Sequence, residues 1–599
     1  MSTPPGPWAR FDDLVAGAAV RFAGVDRVVT ATRLDEVATA LNEVDEQTHA
    51  GKWAFGFVAY EAAAGLDPDL VGHDPVDGLP LVWFGVVDQP ERVPVVAPGA
   101  PVPPRTWSPA WDAPTHRHAV ERVRERIAAG ATYQCNLTTR LHAAPVGDAE
   151  ALYRELALGQ RGAHNAYLDL GRFTVASASP ELFFEQRGET ILMRPMKGTA
   201  ARGRTTAEDT AAVAALRGSA KERAENVMIV DLVRNDLSRI AEPGSVAVPR
   251  LLAAERYETV HQLTSDVTAQ LRPGVGLTEI FRALFPCGSV TGAPKARTME
   301  LIRDLEDGPR GVYCGAIGIV GPPDASIRAR FSVAIRTVEA DRARDALTYG
   351  AGGGITWSSE PAAEYAELLA KSRVLAARHE EFELIETMRH RPGEGVRNLD
   401  AHLARLADSA GYFGFRFDEA AARGLLAARL TGAGPARVRL RCSRDGTLAV
   451  DLEPLPDPGT GPVRLAVDTE PIDSTSCWPH HKTSRRAPYL DRLRRHPDAD
   501  DVVLVNERGE VTETCTATLA AHLGGRWWTP PLGSGCLPGV ERGRLLAVGL
   551  LRERVLFPDD LAEADRLVLV SSLRGQRPAV LAPLQVQDLP TAPPLRRSA

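Results

Sequence analysis

The strongest constraint on this chain is an interruption. Helical patterning runs from Pro361 to His379, and the sequence then restarts with FELIETMRH and a fresh alternation of helix-like and strand-like stretches. Almost no linker separates the two patterns, so a second domain is expected to begin near Phe382. At 599 residues the chain is too long for a single core, and two large regions of catalytic-domain size satisfy its length. Residues 1–110 read as the amino-terminal part of the first region, 111–378 as its main body, and 382–599 as the second domain.

Within the first region, apolar runs such as WAFGFVAYEAAAG give way to VPVVAPGAPVPPRTWSP, which reads as an extended loop or linker. A helix is predicted from His116 to Ala129 and further helices between Ala207 and Ile240. FTVASASPELFFEQ and ETILMRPMKGTA read as two β-rich runs with a turn at Arg187-Gly188. The mixture predicts an α+β protein.

Composition narrows the function classes. With 44% hydrophobic and 25% charged residues and a net charge of -7, no basic stripe offers itself to nucleic acid. No apolar run reaches the about 18 residues of a membrane span, and MSTPPGPWARFDD lacks a basic region followed by an apolar core, so a cytoplasmic location is expected. The seven cysteines, at 135, 287, 314, 442, 477, 515 and 536, are scattered and form no Cys-x-x-Cys pair, which points to reduced thiols.

The residues with chemical potential fall into two sets. In RPMKGTA, Lys197 sits between Pro195-Met196 and a glycine, a place for a surface charge, a carboxylate clamp or a nucleophile. Glu181, in SPELF, lies one hairpin earlier, where antiparallel pairing would bring its carboxylate beside that amine. Glu222 and Glu225 share one helix face and Glu364 and Glu367 another, with Lys371 four residues beyond. Each pair alone is more often a salt-bridged surface, whereas two pairs together make a hard oxygen site suited to Mg2+. GSVTGAPKARTMELI is a glycine-rich turn entering a helix, a plausible carboxylate cradle.

Together PMKGT, SPE, AENVMIVDLVRND, GSVTGAPK, IRT and AGGGI resemble the chorismate-utilising family over roughly residues 10–378, in its order and spacing. A lysine at 197 is similar to the aminodeoxychorismate synthase component I branch, where anthranilate synthases typically carry alanine. The resemblance implies a β-sandwich with helices, Lys197 as nucleophile and Glu181 as general acid and base. It implies Mg2+ on Glu225 and Glu367 with Glu222 and Glu364 adjacent, and chorismate bound by Thr291, Tyr313, Arg336, Gly353 and Lys371. One departure stands at VHQLTS, where Gln262 takes the place of the family's histidine and His261 lies beside it. The amino-terminal segment resembles the region that holds tryptophan in relatives. No Gly-x-Cys-x-Gly glutaminase elbow occurs, GSGCLPG around Cys536 being the nearest, so ammonia is expected from a separate glutamine amidotransferase subunit.

The second domain carries FELIETMRH, LDAHLARLADSAGYFGF, HHKTSRRAPYL, GEVTETCTATLAAH, TPPLGSGCLPGVERGRLL and SSLRGQRPA, which resemble the fold-type IV pyridoxal-phosphate enzymes, the lyases acting on aminodeoxychorismate above all. That implies an α/β domain, Lys482 as the Schiff-base lysine and Glu513 facing the pyridine nitrogen. It also implies a phosphate held by Arg405, by the helix start at Val540 and by Ser572, and a homodimer. Thr518 stands where relatives often have asparagine, and Glu541 where threonine often follows Gly-Val, a carboxylate that would repel phosphate if it faced the site. The combined expectation is 4-aminobenzoate synthesis, a product used in folate biosynthesis and in secondary metabolism. The alternatives are a different fold-type IV aminotransferase or an inactive docking module in the second half, and anthranilate synthase chemistry in the first.

Overall fold

The computed structural model describes residues 6–100, 102–103, 105–144, 147–375, 380–457 and 461–582. The chain forms two compact units, one of Met1–Arg202 with Ala212–Glu380 and one of Gly203–Ala211 with Glu381–Ala599. Two positions of the proline-rich stretch, the end of the helix expected to reach His379, and the carboxy-terminal tail lie outside the described residues.

In the first unit, apolar residues on both faces of strands such as Val82–Val87 demand cover on both sides. They find it in two ten-stranded sheets among the described residues. Phe22, Phe55, Phe57, Trp83, Phe173 and Ile317 fill one core. Another packs the helix Ala149–Gln160, through Leu152, Tyr153 and Leu156, with strand residues Tyr167, Ala176 and Tyr349. In the largest, the helices Val37–His49, Ala220–Ser238 and Leu277–Leu284 pack with Phe84, Phe184 and Phe331 of the other sheet. This is the sandwich with helices expected from the motifs.

Two strand readings need correction. FTVASASPELFFEQ is not one run but two strands in different sheets, Phe173–Ser179 and Leu182–Arg187, with the crossing at Pro180-Glu181. The following hairpin pairs Arg187 with Thr190 and Glu185 with Leu192 and then stops. Met196–Ala201 instead pairs with Val260–Thr264, with a register shift between Met196 and Thr199 that leaves Lys197 and Gly198 outside the ladder. Gly198 takes φ of 99°, a conformation that favours glycine.

The second unit contains a four-stranded antiparallel sheet with Leu384–Arg391 and Ala436–Cys442 at its centre. Its core includes Leu403, Leu406 and Phe413 from the helix Leu399–Phe413 and Leu426 from the helix Glu419–Leu430. An eight-stranded mixed sheet packs around Leu465, Val503, Leu519 and Leu569. Among the described residues no helix is long and apolar enough to cross a membrane.

Candidate active sites

In the first unit a cleft of about 230 Å3 is lined by Glu181, Lys197, both glutamate pairs, Tyr313, Arg336, Gly353 and Lys371. The bulge at Met196–Thr199 takes Lys197 out of the sheet ladder. Its backbone is pinned from behind, for Asn226 Nδ2 donates to Lys197 O at 3.1 Å and Ser265 Oγ donates to Asn226 Oδ1 at 2.7 Å. Its amine lies against Gly354, where any side chain would collide with Lys197 Nζ and stand 2.6 Å from Gln134 Nε2. Glycine at 354, in the Gly-Ala-Gly-Gly-Gly stretch of 350–354, is therefore a steric requirement of the cleft, not only of the strand.

Glu181 meets the lysine segment past the end of the hairpin, by accepting a hydrogen bond from the Met196 N–H rather than through strand pairing. Burial pushes its carboxyl up to about 7, against the opposing pull of the Ser289 hydrogen bond and the Lys197 ammonium. A carboxyl that titrates near neutral pH suits proton transfer in both directions.

The helix Ala220–Ser238 begins where Ser219 Oγ accepts from Glu222 N at 3.3 Å, which sets Glu222 and Glu225 at the cleft. The helix Pro361–Ser372 opens on proline and presents Glu364 and Glu367. Among the described residues no three of these carboxylates are drawn together as a metal site, and all four glutamates line the one cleft. Glu367 is tied to Lys371 Nζ at 2.8 Å. Glu225 and Glu364 are raised by burial and by the neighbouring carboxylates Glu222 and Glu367. Crowded, desolvated oxygens of this kind fit a divalent cation, which would relieve their repulsion.

Arg336 adopts φ of 54°, uncommon for any residue but glycine, and donates through one terminal nitrogen to Lys371 O at 2.6 Å. Lys371 Nζ donates to Gly352 O at 2.8 Å, and a Cβ at Gly353 would stand 3.6 Å from that amine and 3.3 Å from Glu364 Oε2. Tyr313 is buried with its ring against Gly350. Thr291 does not join them: it is fully buried and its hydroxyl donates to Cys287 O at 3.1 Å. Of the two residues at the VHQLTS departure, Gln262 lines the cleft and accepts from Thr199 Oγ1 at 3.1 Å, while His261 is buried and absent from the lining. Ser289, Asn226 and Gln134 were not singled out in the sequence. Gln134 is fully buried, with neither amide atom hydrogen-bonded.

The second unit holds a cavity of about 820 Å3 lined by Lys482, Arg405, Glu513, Val540 and Ser572, all five residues expected to face one cofactor. Burial, with Arg405 and Arg486 nearby, pushes the Lys482 amine down to about 8. Burial pushes Glu513 up to about 7, though Leu537 N donates to it at 3.3 Å. Val540 opens the helix Val540–Ala547 after Gly539, where a side chain would come within 2.7 Å of Thr518 Oγ1. Glu541 is neutralised rather than exposed to the cavity as a bare charge, since Arg397 and Arg544 each donate to it at 2.8 Å and Asn398 at 3.1 Å. Arg405 does not present its whole guanidinium. Its Nε and one terminal nitrogen bind Glu386 at 2.8 and 2.7 Å, and the other terminal nitrogen reaches Pro538 O at 3.1 Å. Arg437, Arg439 and Arg441, alternate residues of one strand, also line the cavity. A depressed amine, a facing carboxyl, a helix amino terminus and an arginine fit pyridoxal phosphate, glycine at 539 keeping the floor of the cradle open.

Residues 5–377 match the family described as chorismate binding enzyme, and residues 383–581 match that described as amino-transferase class IV. The chain is 42% identical over 362 residues to an aminodeoxychorismate synthase of Streptomyces griseus, covering 60% of this chain and 45% of that protein. It is 41% identical over 278 residues to aminodeoxychorismate synthase component 1 of Klebsiella aerogenes, covering 45% of this chain and 60% of that protein. The chain thus spans about half the length of these curated relatives. The crystal structure of anthranilate synthase component I from Streptococcus pneumoniae TIGR4 superposes with a TM-score of 0.51 at 24% identity, covering 63% of this chain and 94% of that one, a likeness of fold.

Proposed function

Because this chain belongs to the chorismate binding enzyme family and carries an amino-transferase class IV domain, we propose that it makes 4-aminobenzoate from chorismate and ammonia in two steps. The observation that carries the reading is the placement of Lys197 Nζ against Gly354, in a cleft shared with a carboxyl titrating near 7. Lys197, as the neutral amine, attacks ring C2 as the C4 hydroxyl departs, and Glu181 delivers the proton that lets it leave as water. Ammonia then adds at C4, the bond to Lys197 breaks, and Glu181 takes the proton back, giving 4-amino-4-deoxychorismate. Arg336 and Lys371 hold substrate carboxylates, Arg336 with the donors it does not spend on Lys371 O. When bound among the four glutamates, Mg2+ supplies a positive charge for the ring carboxylate.

In the second step the amino compound enters the cavity of Lys482. Pyridoxal phosphate, when bound there, supplies an electron sink, with Glu513 at its ring nitrogen and Arg405, Ser572 and the helix start at Val540 about its phosphate. Lys482, its amine lowered to about 8, takes the proton from C4 while the C3–O bond breaks, so that pyruvate leaves and the ring becomes aromatic. Of the row Arg437, Arg439 and Arg441, Arg437 is paired with Glu453 and Arg441 with Glu383 and Asp451, which leaves Arg439, its Nε buried without a partner, as the arginine suited to a substrate carboxylate. Relatives carrying the name component 1 support a separate glutaminase partner as the ammonia source.

The test incubates the purified chain with chorismate, ammonium, Mg2+ and pyridoxal phosphate and identifies products by liquid chromatography with mass detection. Equimolar 4-aminobenzoate and pyruvate are expected, and none from Lys197→Ala. Anthranilate as product, or full activity in that variant, would overturn the first step; accumulated aminodeoxychorismate would overturn the second.

A further inference from the structure

Two buried polar side chains of the second unit have no part in the chemistry above. Glu386, on the strand Leu384–Arg391, and His402, on the helix Leu399–Phe413, are each 1% exposed. His402 and Arg405 stand three residues apart on one helix face and converge on the same carboxylate. His402 Nδ1 lies 2.6 Å from Glu386 Oε2, while Arg405 spans both carboxylate oxygens at 2.8 and 2.7 Å. The other ring nitrogen, His402 Nε2, lies 2.8 Å from Ser572 Oγ, which also receives Asn398 Nδ2 at 3.2 Å.

The donor count shows what this does. A guanidinium has five N–H groups in a rigid plane. Glu386 takes the Nε edge and Pro538 O one more, so the N–H groups left for an anion are on the two terminal nitrogens, in a direction set by the clamp. The same carboxylate, through His402, holds Ser572 Oγ, which lines the same cavity. We propose that Glu386 and His402 are positioning residues that aim Arg405 and Ser572 together at the cofactor phosphate. The inference rests on the reading of this cavity as a pyridoxal phosphate site.

A phosphate-specific role separates itself from general support of the fold by comparing pyridoxal phosphate with pyridoxal, which has the same ring and aldehyde and no phosphate. The full-length apoprotein, its Glu386→Gln variant and its His402→Asn variant are titrated with each compound, following the visible absorbance of the bound form. Glu386→Gln is expected to weaken pyridoxal phosphate at least ~10-fold, the scale on which outer-shell partners act on bound groups, and His402→Asn several-fold. Pyridoxal binding should be unchanged in both. Equal losses for the two compounds, or no loss for either, would overturn the proposal while leaving the cofactor reading intact. A wild-type protein that binds neither compound would remove both.

Discussion

Replacing Gly354 by alanine tests the geometry of the first site with a single methyl group. Gly354 lies on the strand Ala346–Ile355 opposite Asn136, and its backbone is not in the left-handed region, so alanine fits the local conformation. The added Cβ would stand 2.6 Å from Gln134 Nε2 and closer still to Lys197 Nζ, whereas ordinary contact begins at 3.4 Å. The amide must retreat by about 0.8 Å and the amine by about 1 Å. Both are tips of flexible side chains, so the fold absorbs the methyl cheaply while the nucleophile loses its place. A misplacement of about 1 Å can cost ~100-fold, or about 2.7 kcal/mol of activation free energy. The assay is the initial rate of aminodeoxychorismate formation at saturating chorismate and ammonium, with conversion of supplied aminodeoxychorismate as the internal control, which should not change. Gly353→Ala makes the comparison, because its Cβ meets Glu364 Oε2 at 3.3 Å and Lys371 Nζ at 3.6 Å and displaces them far less. A Gly354→Ala rate equal to wild type would refute the placement of Lys197 as the attacking group.

Lys482→Ala is expected to lose the visible absorbance of bound pyridoxal phosphate and to stop at aminodeoxychorismate, which mass detection would show accumulating in step with chorismate loss. Glu181 gives the first step a pH dependence with a definite sign: burial raises its carboxyl from 4.5 to about 7, so the proton it must donate is held below that value and lost above it. The rate should therefore fall as pH rises through about 7, and Glu181→Gln should be slower by ~100-fold or more with that limb gone. Chelation with EDTA should abolish the first step, with Mg2+ restoring it, and leave the conversion of supplied aminodeoxychorismate intact; equal loss of both steps would place the metal's role elsewhere.

Much of this protein is written locally. The restart near Phe382, the glutamate pairs and the order of short motifs are properties of neighbouring residues, so they could be read without coordinates, and they pointed to two compact units and to Lys197, Glu181 and Lys482 as candidate site residues. What they could not carry is the meeting of groups remote in sequence. Gln134 comes to Lys197 only because the strand Gln134–Ala143 pairs with the glycine run, and Ser289 reaches Glu181 across more than a hundred residues. Spacing within a helix showed that Glu222 and Glu225 share a face, but not that this pair and Glu364 with Glu367 line one cleft. Motif position placed Thr291 in the substrate site, whereas packing turned its hydroxyl onto Cys287 O. The charge on Glu541 likewise acquired its meaning from Arg397 and Arg544, which the fold brings to it. Sequence alone determined which chemical groups this protein owns, because residue identity and local periodicity suffice for that. Burial, partner and direction were decided by tertiary structure, because each depends on atoms supplied by distant segments.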